Sequence, residues 1–136
     1  MLNILIAEDD PADAQKLVQG LSGVADCHVT KDGTETIELY KSSIKDNLRF
    51  DFILLDVQLP RINGFDILKT IRKLEESRQE IPSRETKVIM ITTYKDSLME
   101  NYNMGWDDFM SKPVDIAILK TRLKELNLTR KKSELS

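Results

Sequence analysis

The sequence predicts an α/β domain in which a five-stranded parallel sheet is covered by helices on both faces. Short apolar segments alternate with longer segments that carry apolar residues at helical spacing, which is typical of a parallel sheet. The segment Phe52–Leu55 is apolar without alternation, as strands buried on both faces are. A chain of 136 residues that is 40% hydrophobic is suited to one domain with a core.

The predicted strands are short and mostly apolar, and they are separated by segments long enough to form helices. They are Asn3–Ala7, Ala25–Thr30, Asp51–Asp56, Lys87–Thr92 and Asp107–Ser111. Apolar and polar residues alternate only weakly in the second strand, so we place it near an edge of the sheet. The fifth strand is shorter than the others.

The first two predicted helices have recognisable starts or apolar stripes. Asp10 can cap the first helix and Pro11 suits its first position. Apolar residues at helical spacing are Ala14, Leu17, Val18 and Leu21 in the first helix, and Ile37, Tyr40 and Ile44 in the second.

Three further helices are predicted in the second half of the chain. They are Gly64–Leu74, Asp96–Met104 with Gly105 at its end, and a last helix from about Val114 that carries Ile116, Leu119, Leu123 and Leu126. We assign residues 1–127 to the domain and residues 128–136 to a polar tail that frays. We expect no DNA-binding module after the domain, because this tail is too short for one.

Composition excludes several classes of protein. The net charge of −3 and the pI of about 5.2 argue against direct binding of nucleic acid. The single cysteine, Cys27, cannot form an internal disulfide and is expected to be a small core residue. The N-terminal residues do not resemble a signal peptide, and no apolar run has the length of a membrane span. We therefore expect a cytoplasmic protein without membrane contact.

Polar side chains end or directly follow the predicted strands at the carboxyl edge of the sheet, where sites lie in such folds. These residues are Glu8, Asp9, Asp10, Asp56, Thr92, Thr93, Ser111 and Lys112. Two carboxylates about 5 Å apart repel by roughly 3 kcal/mol at an effective dielectric near 20. An acidic cluster therefore needs a cation, and Mg²⁺ prefers such oxygen ligands. With Lys112 opposite, the set suits phosphoryl transfer to a carboxylate, with Asp56 as the nucleophile.

Four segments together resemble the receiver domain of two-component response regulators. They are ILIAEDDP, ILLDVQLPRINGFD, VIMITT and FMSKPV, in this order and at suitable spacing. The resemblance covers about Leu2 to Leu126. Within the family, the sequence is similar to the single-domain chemotaxis regulators. It implies a flavodoxin-like (βα)5 sandwich of three layers and a switch controlled by phosphorylation. It also implies a regulatory domain, not an enzyme, that assists only its own phosphorylation and dephosphorylation.

The resemblance assigns the metal site and the phosphoryl acceptor. Asp56 corresponds to the phosphoacceptor, and Glu8 and Asp9 correspond to the acidic pair that holds Mg²⁺, with Asp9 as the more direct ligand. Gln58 corresponds to the residue whose backbone carbonyl also binds the metal.

The resemblance also assigns the switch and the partners. Thr92 corresponds to the switch hydroxyl, Lys112 to the lysine that pairs with the phosphate, and Phe109 to the switch aromatic. A cis peptide before Pro113 is implied as well. The phosphoryl donor would be a sensor histidine kinase or a histidine phosphotransfer protein, and the downstream protein target is not identified. A dimer that forms on phosphorylation is left open.

Some assignments stay open at this point. Asp10 either caps the first helix or joins the acidic site, and Phe109 is either a core residue or a mobile one. Thr93 stands where the family has a smaller residue, so it crowds the phosphate entrance or offers a second hydroxyl. Gln58 and Tyr94 flank the path of the attacking water and are expected to tune the lifetime of the phosphate.

Two other classes of function compete with a phosphorylated receiver. A pseudo-receiver that binds partners without carrying phosphate is opposed by the complete set of site residues. A flavin-binding protein would need a phosphate-binding loop after the first strand, where three acids stand instead, and the sequence has no GxxxxGK[ST] motif. A hydrolase would need a general base beyond the acidic cluster.

Overall fold

The computed structural model describes residues 1–77, 85–93 and 105–135, with side chains of the last helix described as far as residue 128. The predicted helix Asp96–Met104 and Tyr94 lie outside the described residues. All five predicted strands and the other four predicted helices lie within them.

Five strands form one sheet in which each neighbouring pair is parallel, as predicted. They are β1 (Leu2–Ala7), β2 (Ala25–Thr30), β3 (Phe52–Asp56), β4 (Lys87–Thr92) and β5 (Asp108–Ser111). Their order across the sheet is β2-β1-β3-β4-β5. Because β3 lies in the centre, all five of its residues are buried, which explains its continuous apolar sequence.

The described part of the chain contains four helices. They are α1 (Pro11–Gly20), α2 (Gly33–Lys45), α3 (Gly64–Ser77) and α4 (Ile116–Leu135). Helix α3 continues one turn beyond the predicted end at Leu74, and α4 begins at Ile116, two residues after the predicted start. Helix α4 also continues across the boundary predicted at residue 127 and through most of the segment expected to fray.

The helices cover both faces of the sheet, and β1 shows how the sequence arranges this. Ile4 and Ile6 belong to a core that is completed by α1 and α4, through residues such as Leu119. Leu5 and Ala7 alternate with them and belong to a second core, completed by α2 and α3. This alternation follows from the two-residue period of a strand.

For one residue, the prediction of an apolar stripe on α1 was wrong. Val18 is 37% exposed, whereas Ala14, Leu17 and Leu21 are buried as predicted. Val18 neighbours Leu17 on the helix, so it lies at the border of the buried stripe and outside it.

An ionic network built on the buried Glu75 joins α3 to the amino-terminal edge of the sheet. The Arg72 guanidinium contacts Glu75 at 2.6 Å and Asp107 at 2.9 Å, and it donates to the carbonyl oxygens of Gly105 and Thr86. Glu75 is 3% exposed and also accepts from the Thr86 N–H at 2.7 Å. Because buried charges are tolerated only when they are paired, this network fixes α3 against the starts of β4 and β5.

The two edge strands carry charged or polar side chains. On β2, Asp26 and His28 are exposed. On β5, Asp108 accepts two hydrogen bonds from Arg122 of α4, at 2.7 and 2.8 Å. The Lys112-Pro113 peptide that follows β5 is cis, as the resemblance implied.

Candidate functional site

The carboxyl ends of four strands bring together most of the predicted site residues. Glu8 and Asp9 follow β1, Asp56 is the last residue of β3, Thr92 is the last residue of β4, and Lys112 follows β5. Because all the strands are parallel, these positions share one edge of the sheet.

Three acids form a compact group at this edge. Carboxylate oxygens of Glu8, Asp9 and Asp56 all lie within 4.8 Å of one another. Glu8 and Asp56 are 2% and 5% exposed, whereas Asp9 is exposed, so the group opens to solvent on the Asp9 side. A set of oxygen ligands that includes one exposed carboxylate fits Mg²⁺, which keeps several waters when it binds to a protein.

The Lys112 ammonium group pairs with both buried acids. Its Nζ lies 2.8 Å from Glu8 Oε2 and 2.8 Å from Asp56 Oδ2. Burial alone would lower the pKa of Lys112, but its hydrogen bonds to Asp56 and Glu8 outweigh burial and raise that pKa. Lys112 is therefore a permanent cation at the bottom of the site.

Glu8 is held where its charge is costly. Burial raises the pKa of Glu8 to about 7, and the Asp56 charge adds to this effect. The hydrogen bond from Lys112 and the one from the Asp10 N–H act in the opposite direction. Such a carboxyl is typical of a functional site, because a purely structural position would gain from a neutral side chain.

Asp56 is fixed by the loop that follows β3. Its Oδ1 accepts the Gln58 N–H at 2.9 Å, and its Oδ2 faces Lys112. The loop returns close to the strand at Gly64, where a Cβ atom would lie 2.6 Å from the Asp56 carbonyl oxygen. Gly64 therefore allows α3 to begin directly beside the end of β3.

The structure shows Asp10 as the cap of α1. Its Oδ1 accepts the N–H groups of Ala12 at 2.8 Å and Asp13 at 3.3 Å, which caps α1. Asp10 does not belong to the acidic group formed by described residues. The cap fixes the start of α1, which comes directly after Glu8 and Asp9 in the chain.

The predicted hydroxyl and aromatic residues lie on β4 and β5 or directly after β4. Thr92 is 1% exposed and its carbonyl oxygen accepts the Lys112 N–H at 3.0 Å, whereas Thr93 is exposed. The half-buried Phe109 ring contacts Trp106 edge to face, with ring centroids 5.5 Å apart. Phe109 is thus packed at the margin of the core in this conformation.

Sequence reasoning missed one residue of the site. Asp13 Oδ2 lies 3.4 Å from Lys112 Nζ, which makes it a third acidic partner of the lysine. Asp13 stands three residues after the cap Asp10, in the first turn of α1. A first-turn acid is usually explained by the helix dipole, so nothing in the sequence distinguishes this position from an ordinary helix start.

The fold and site together define a parallel α/β domain with an acidic, lysine-paired pocket at the carboxyl edge of its sheet. Residues 4–124 match the family described as the response regulator receiver domain. The chain belongs to this family, whose known role is a phosphorylation-controlled switch in two-component signal transduction. It is therefore a regulatory signalling domain, of a family that binds Mg²⁺ at its acidic pocket and is phosphorylated by histidine kinases or phosphotransfer domains.

Individual relatives agree with this assignment. The chain is 32% identical, over 129 residues, to the transcriptional regulatory protein CiaR of Streptococcus pneumoniae; the match covers 93% of this chain and 51% of CiaR. It is 29% identical to the response regulator mcs4 of Schizosaccharomyces pombe, over 91% of this chain and 27% of mcs4. The chain thus spans about half of the first relative and about a quarter of the second.

A solved structure has a similar fold over nearly the whole chain. The CheY-like receiver domain protein from Methanospirillum hungatei JF-1 superposes with a TM-score of 0.77 at 26% identity, covering 98% of each chain.

Within the described residues, no helix combines the length and the apolar character needed to cross a membrane.

Proposed function

We propose that Asp56 accepts a phosphoryl group and that the resulting charge changes the surface that this domain presents to a partner. The observation that carries the proposal is the contact of Lys112 Nζ with the buried Asp56 carboxylate, at 2.8 Å, beside the acidic group. A buried carboxylate next to other acids costs stability, and a permanent cation beside it suits the charge of an incoming phosphoryl group.

The chemistry follows from these positions. An oxygen of Asp56 attacks the phosphorus of a phosphohistidine; the new P–O bond forms as the P–N bond breaks, and the imidazole leaves with the electron pair. Glu8, Asp9, Asp56 and the Gln58 carbonyl would hold Mg²⁺, which supplies charge neutralisation for the phosphoryl oxygens. Attack of water on the phosphorus of the acyl phosphate breaks the bond to the Asp56 oxygen, releases inorganic phosphate and returns Asp56 to its carboxylate.

Lys112 and Thr92 would detect the phosphoryl group once it is attached. Thr92 offers a hydroxyl donor from the end of β4, the strand next to the Asp56 strand β3. Lys112 offers a charged donor from directly after β5, one strand further. Movement of Thr92 towards the phosphate would free space that the Phe109 ring can enter, which changes the surface around β5.

The partners that fit this chemistry are proteins. The donor would be a sensor histidine kinase or a histidine phosphotransfer protein in the cytoplasm, and the receiver of the signal would be a protein that recognises the altered β5 surface. A second copy of the phosphorylated chain is one such partner.

Phosphorylation of Asp56 can be tested by intact-mass spectrometry after incubation with acetyl phosphate and Mg²⁺. The wild-type chain should gain one phosphate, and Asp56→Asn should gain none. Asp66→Asn, an exposed first-turn acid of α3, is the matched control and should behave as the wild type. A phosphate on Asp56→Asn that survives acid would place the modification on a hydroxyl and end the proposal. No phosphate on any variant would favour the pseudo-receiver instead.

Metal binding can be tested separately by calorimetry with MgCl2. Asp9→Ala should lose measurable binding, whereas Asp66→Ala should retain it, because Asp9 is the exposed member of the acidic group. An unchanged Mg²⁺ affinity in Asp9→Ala would remove the proposed metal site.

A further inference from the structure

Three carboxylates share the Lys112 ammonium group. Nζ lies 2.8 Å from Glu8, 2.8 Å from Asp56 and 3.4 Å from Asp13. An ammonium group has three donors, so these partners account for one donor each. Glu8 and Asp56 already offer two negative charges to one ammonium group, so the contact with Asp13 is more than charge pairing requires.

Asp13 differs from the other two acids in its surroundings. The Glu8 and Asp56 side chains are 2% and 6% exposed, whereas the Asp13 side chain is 47% exposed. Asp13 also lies outside the group of acids that could hold a metal among the described residues. It can therefore bind Lys112 without withdrawing an oxygen from a metal ion.

Lys112 and a metal ion would compete for the same oxygens. Glu8 and Asp56 are partners of Lys112 and are also proposed metal ligands, so a divalent cation at the acidic group repels the ammonium and weakens its contacts. A cavity of about 20 Å³, which Glu8, Asp13 and Lys112 help to line, lies beside these groups. A space of this size suits one water-sized group, so the ammonium has room for a small displacement.

We propose that Asp13 is a positioning residue for Lys112. When a cation fills the acidic group, Asp13 holds the ammonium at the side of the site, ready to pair with an incoming phosphoryl group. This role rests on the proposed function. Asp13 acts only through Lys112 and contacts neither the metal nor the phosphoryl group.

Calorimetry with MgCl2 tests the role through a double-mutant cycle. Asp13→Asn should weaken Mg²⁺ binding about fivefold, because the ammonium then stays on Glu8 and Asp56. Asp13→Glu should retain near-normal affinity. In a Lys112→Met background, Asp13→Asn should change the affinity less than about twofold. Equal weakening in both backgrounds would show that Asp13 acts through its own charge alone, which would overturn the proposal.

Glu35 offers a matched control. It is the third residue of α2, as Asp13 is of α1, and its N–H is likewise bonded to a capping aspartate, Asp32. Glu35→Gln removes the same helix-dipole contribution without touching Lys112, so Mg²⁺ affinity should match the wild type. A loss equal to that of Asp13→Asn would assign the effect to the helix and not to Lys112.

Nuclear magnetic resonance gives a direct readout that does not depend on the Lys112→Met variant being folded. On titration of the wild-type chain with MgCl2, the Asp13 carboxylate carbon and the Lys112 side-chain nitrogen should shift with the same midpoint. An Asp13 signal that stays constant while Mg²⁺ binds would overturn the proposal. A wild-type chain that binds no Mg²⁺ would overturn both this role and the proposed metal site, whereas binding without coupling would overturn this role alone.

Discussion

Lys112 is the residue on which the electrostatic balance of the site depends. It is the cation that contacts both Glu8 and Asp56, and the described residues bring no other lysine or arginine within 4 Å of either carboxylate. Removing one partner of a buried ion pair leaves the other charge desolvated, which costs more than the pair itself contributes. Stability and the proposed function are therefore linked through this one side chain.

Lys112→Met should accordingly lower the free energy of unfolding by about 2–3 kcal/mol near neutral pH. Added Mg²⁺ should recover part of this loss, because a second cation then neutralises the acids. Urea denaturation with and without MgCl2 measures both effects. Lys16→Met, an exposed lysine of α1 that lines the same small cavity, should change stability by less than about 0.5 kcal/mol. A Lys112→Met variant as stable as the wild type would mean that solvent already screens these acids.

Cys27 is a second residue whose surroundings affect its ionisation. It is half-buried on β2, and burial raises the pKa of its thiol, with the Asp26 charge adding to the effect. A raised pKa means less thiolate at pH 7.5, and thiolate is the reactive form.

The Cys27 thiol should therefore react with Ellman's reagent at least about tenfold more slowly in the folded chain than in urea. The chain has one cysteine, so the absorbance change reports this residue alone. Equal rates in the folded and unfolded chain would show that β2 leaves the thiol accessible and ionised.

At the scale of elements, the start of α1 controls the geometry of the site. The Asp10 cap holds the turn in which Glu8 and Asp9 stand, and its N–H binds Glu8 Oε1 at 3.1 Å. The cap and the acidic site are therefore one continuous turn, although Asp10 is not a member of the acidic group.

Asp10→Ala should lower stability by about 1 kcal/mol, because two N–H groups of α1 lose their acceptor. Asp10→Ser keeps an acceptor at the cap and should recover most of this loss while retaining Mg²⁺ binding. Thermal unfolding and calorimetry together separate the capping role of Asp10 from a role in metal binding. Loss of Mg²⁺ binding in a stable Asp10→Ser variant would show that its carboxylate serves the metal after all.

The sequence predicted the bounds of elements well where hydrophobic periodicity and local signals agree. It predicted them less well where tertiary contacts determine how far an element extends. Strand β4 was predicted to the residue, and the Asp10–Pro11 start of α1 is marked by residue types that suit helix starts. The extension of α3 past Leu74 follows from Glu75, whose burial depends on Arg72 and Thr86. A charged residue predicts exposure from sequence alone, so this network could not be anticipated.

The same distinction applies to the site. Residues at the carboxyl ends of strands, such as Asp56 and Lys112, were predicted to lie together because parallel strands bring their ends to one edge of the sheet. Asp13 was missed because its contact depends on how α1 lies against the end of β5, which no local pattern specifies.

For the whole molecule, the proposed switch predicts a change far from the phosphoryl group. A shift of a two-state equilibrium from 1:99 to 99:1 needs about 5.5 kcal/mol of differential interaction. Charge-assisted hydrogen bonds of roughly 1.5–3 kcal/mol each, from Lys112 and Thr92, could supply most of it. The Phe109 ring and its neighbour Trp106 are then the groups expected to respond.

Beryllofluoride, a phosphoryl mimic, should therefore shift the amide resonances of residues 105–110 in the wild-type chain, and these shifts should be lost in Thr92→Ala. Thr92→Ala should still accept phosphate on Asp56, because it keeps the nucleophile and the acids. Thr93→Ala, which removes the exposed hydroxyl next to Thr92, serves as the control and should retain the shifts. Equal shifts in Thr92→Ala and the wild type would show that another residue relays the signal.

The charged edges of the sheet have a consequence for how the protein behaves in concentrated solution. An edge strand is a template for pairing with another chain, and the two edge strands carry Asp26 on β2 and, on β5, Asp108, which is paired with Arg122 of α4. Ordered stacking of copies through either side would crowd like charges or expose a broken ion pair. The charged side chains thus oppose growth of the sheet into aggregates at both edge strands, and one of these strands, β5, is the strand whose surface the proposed switch would change.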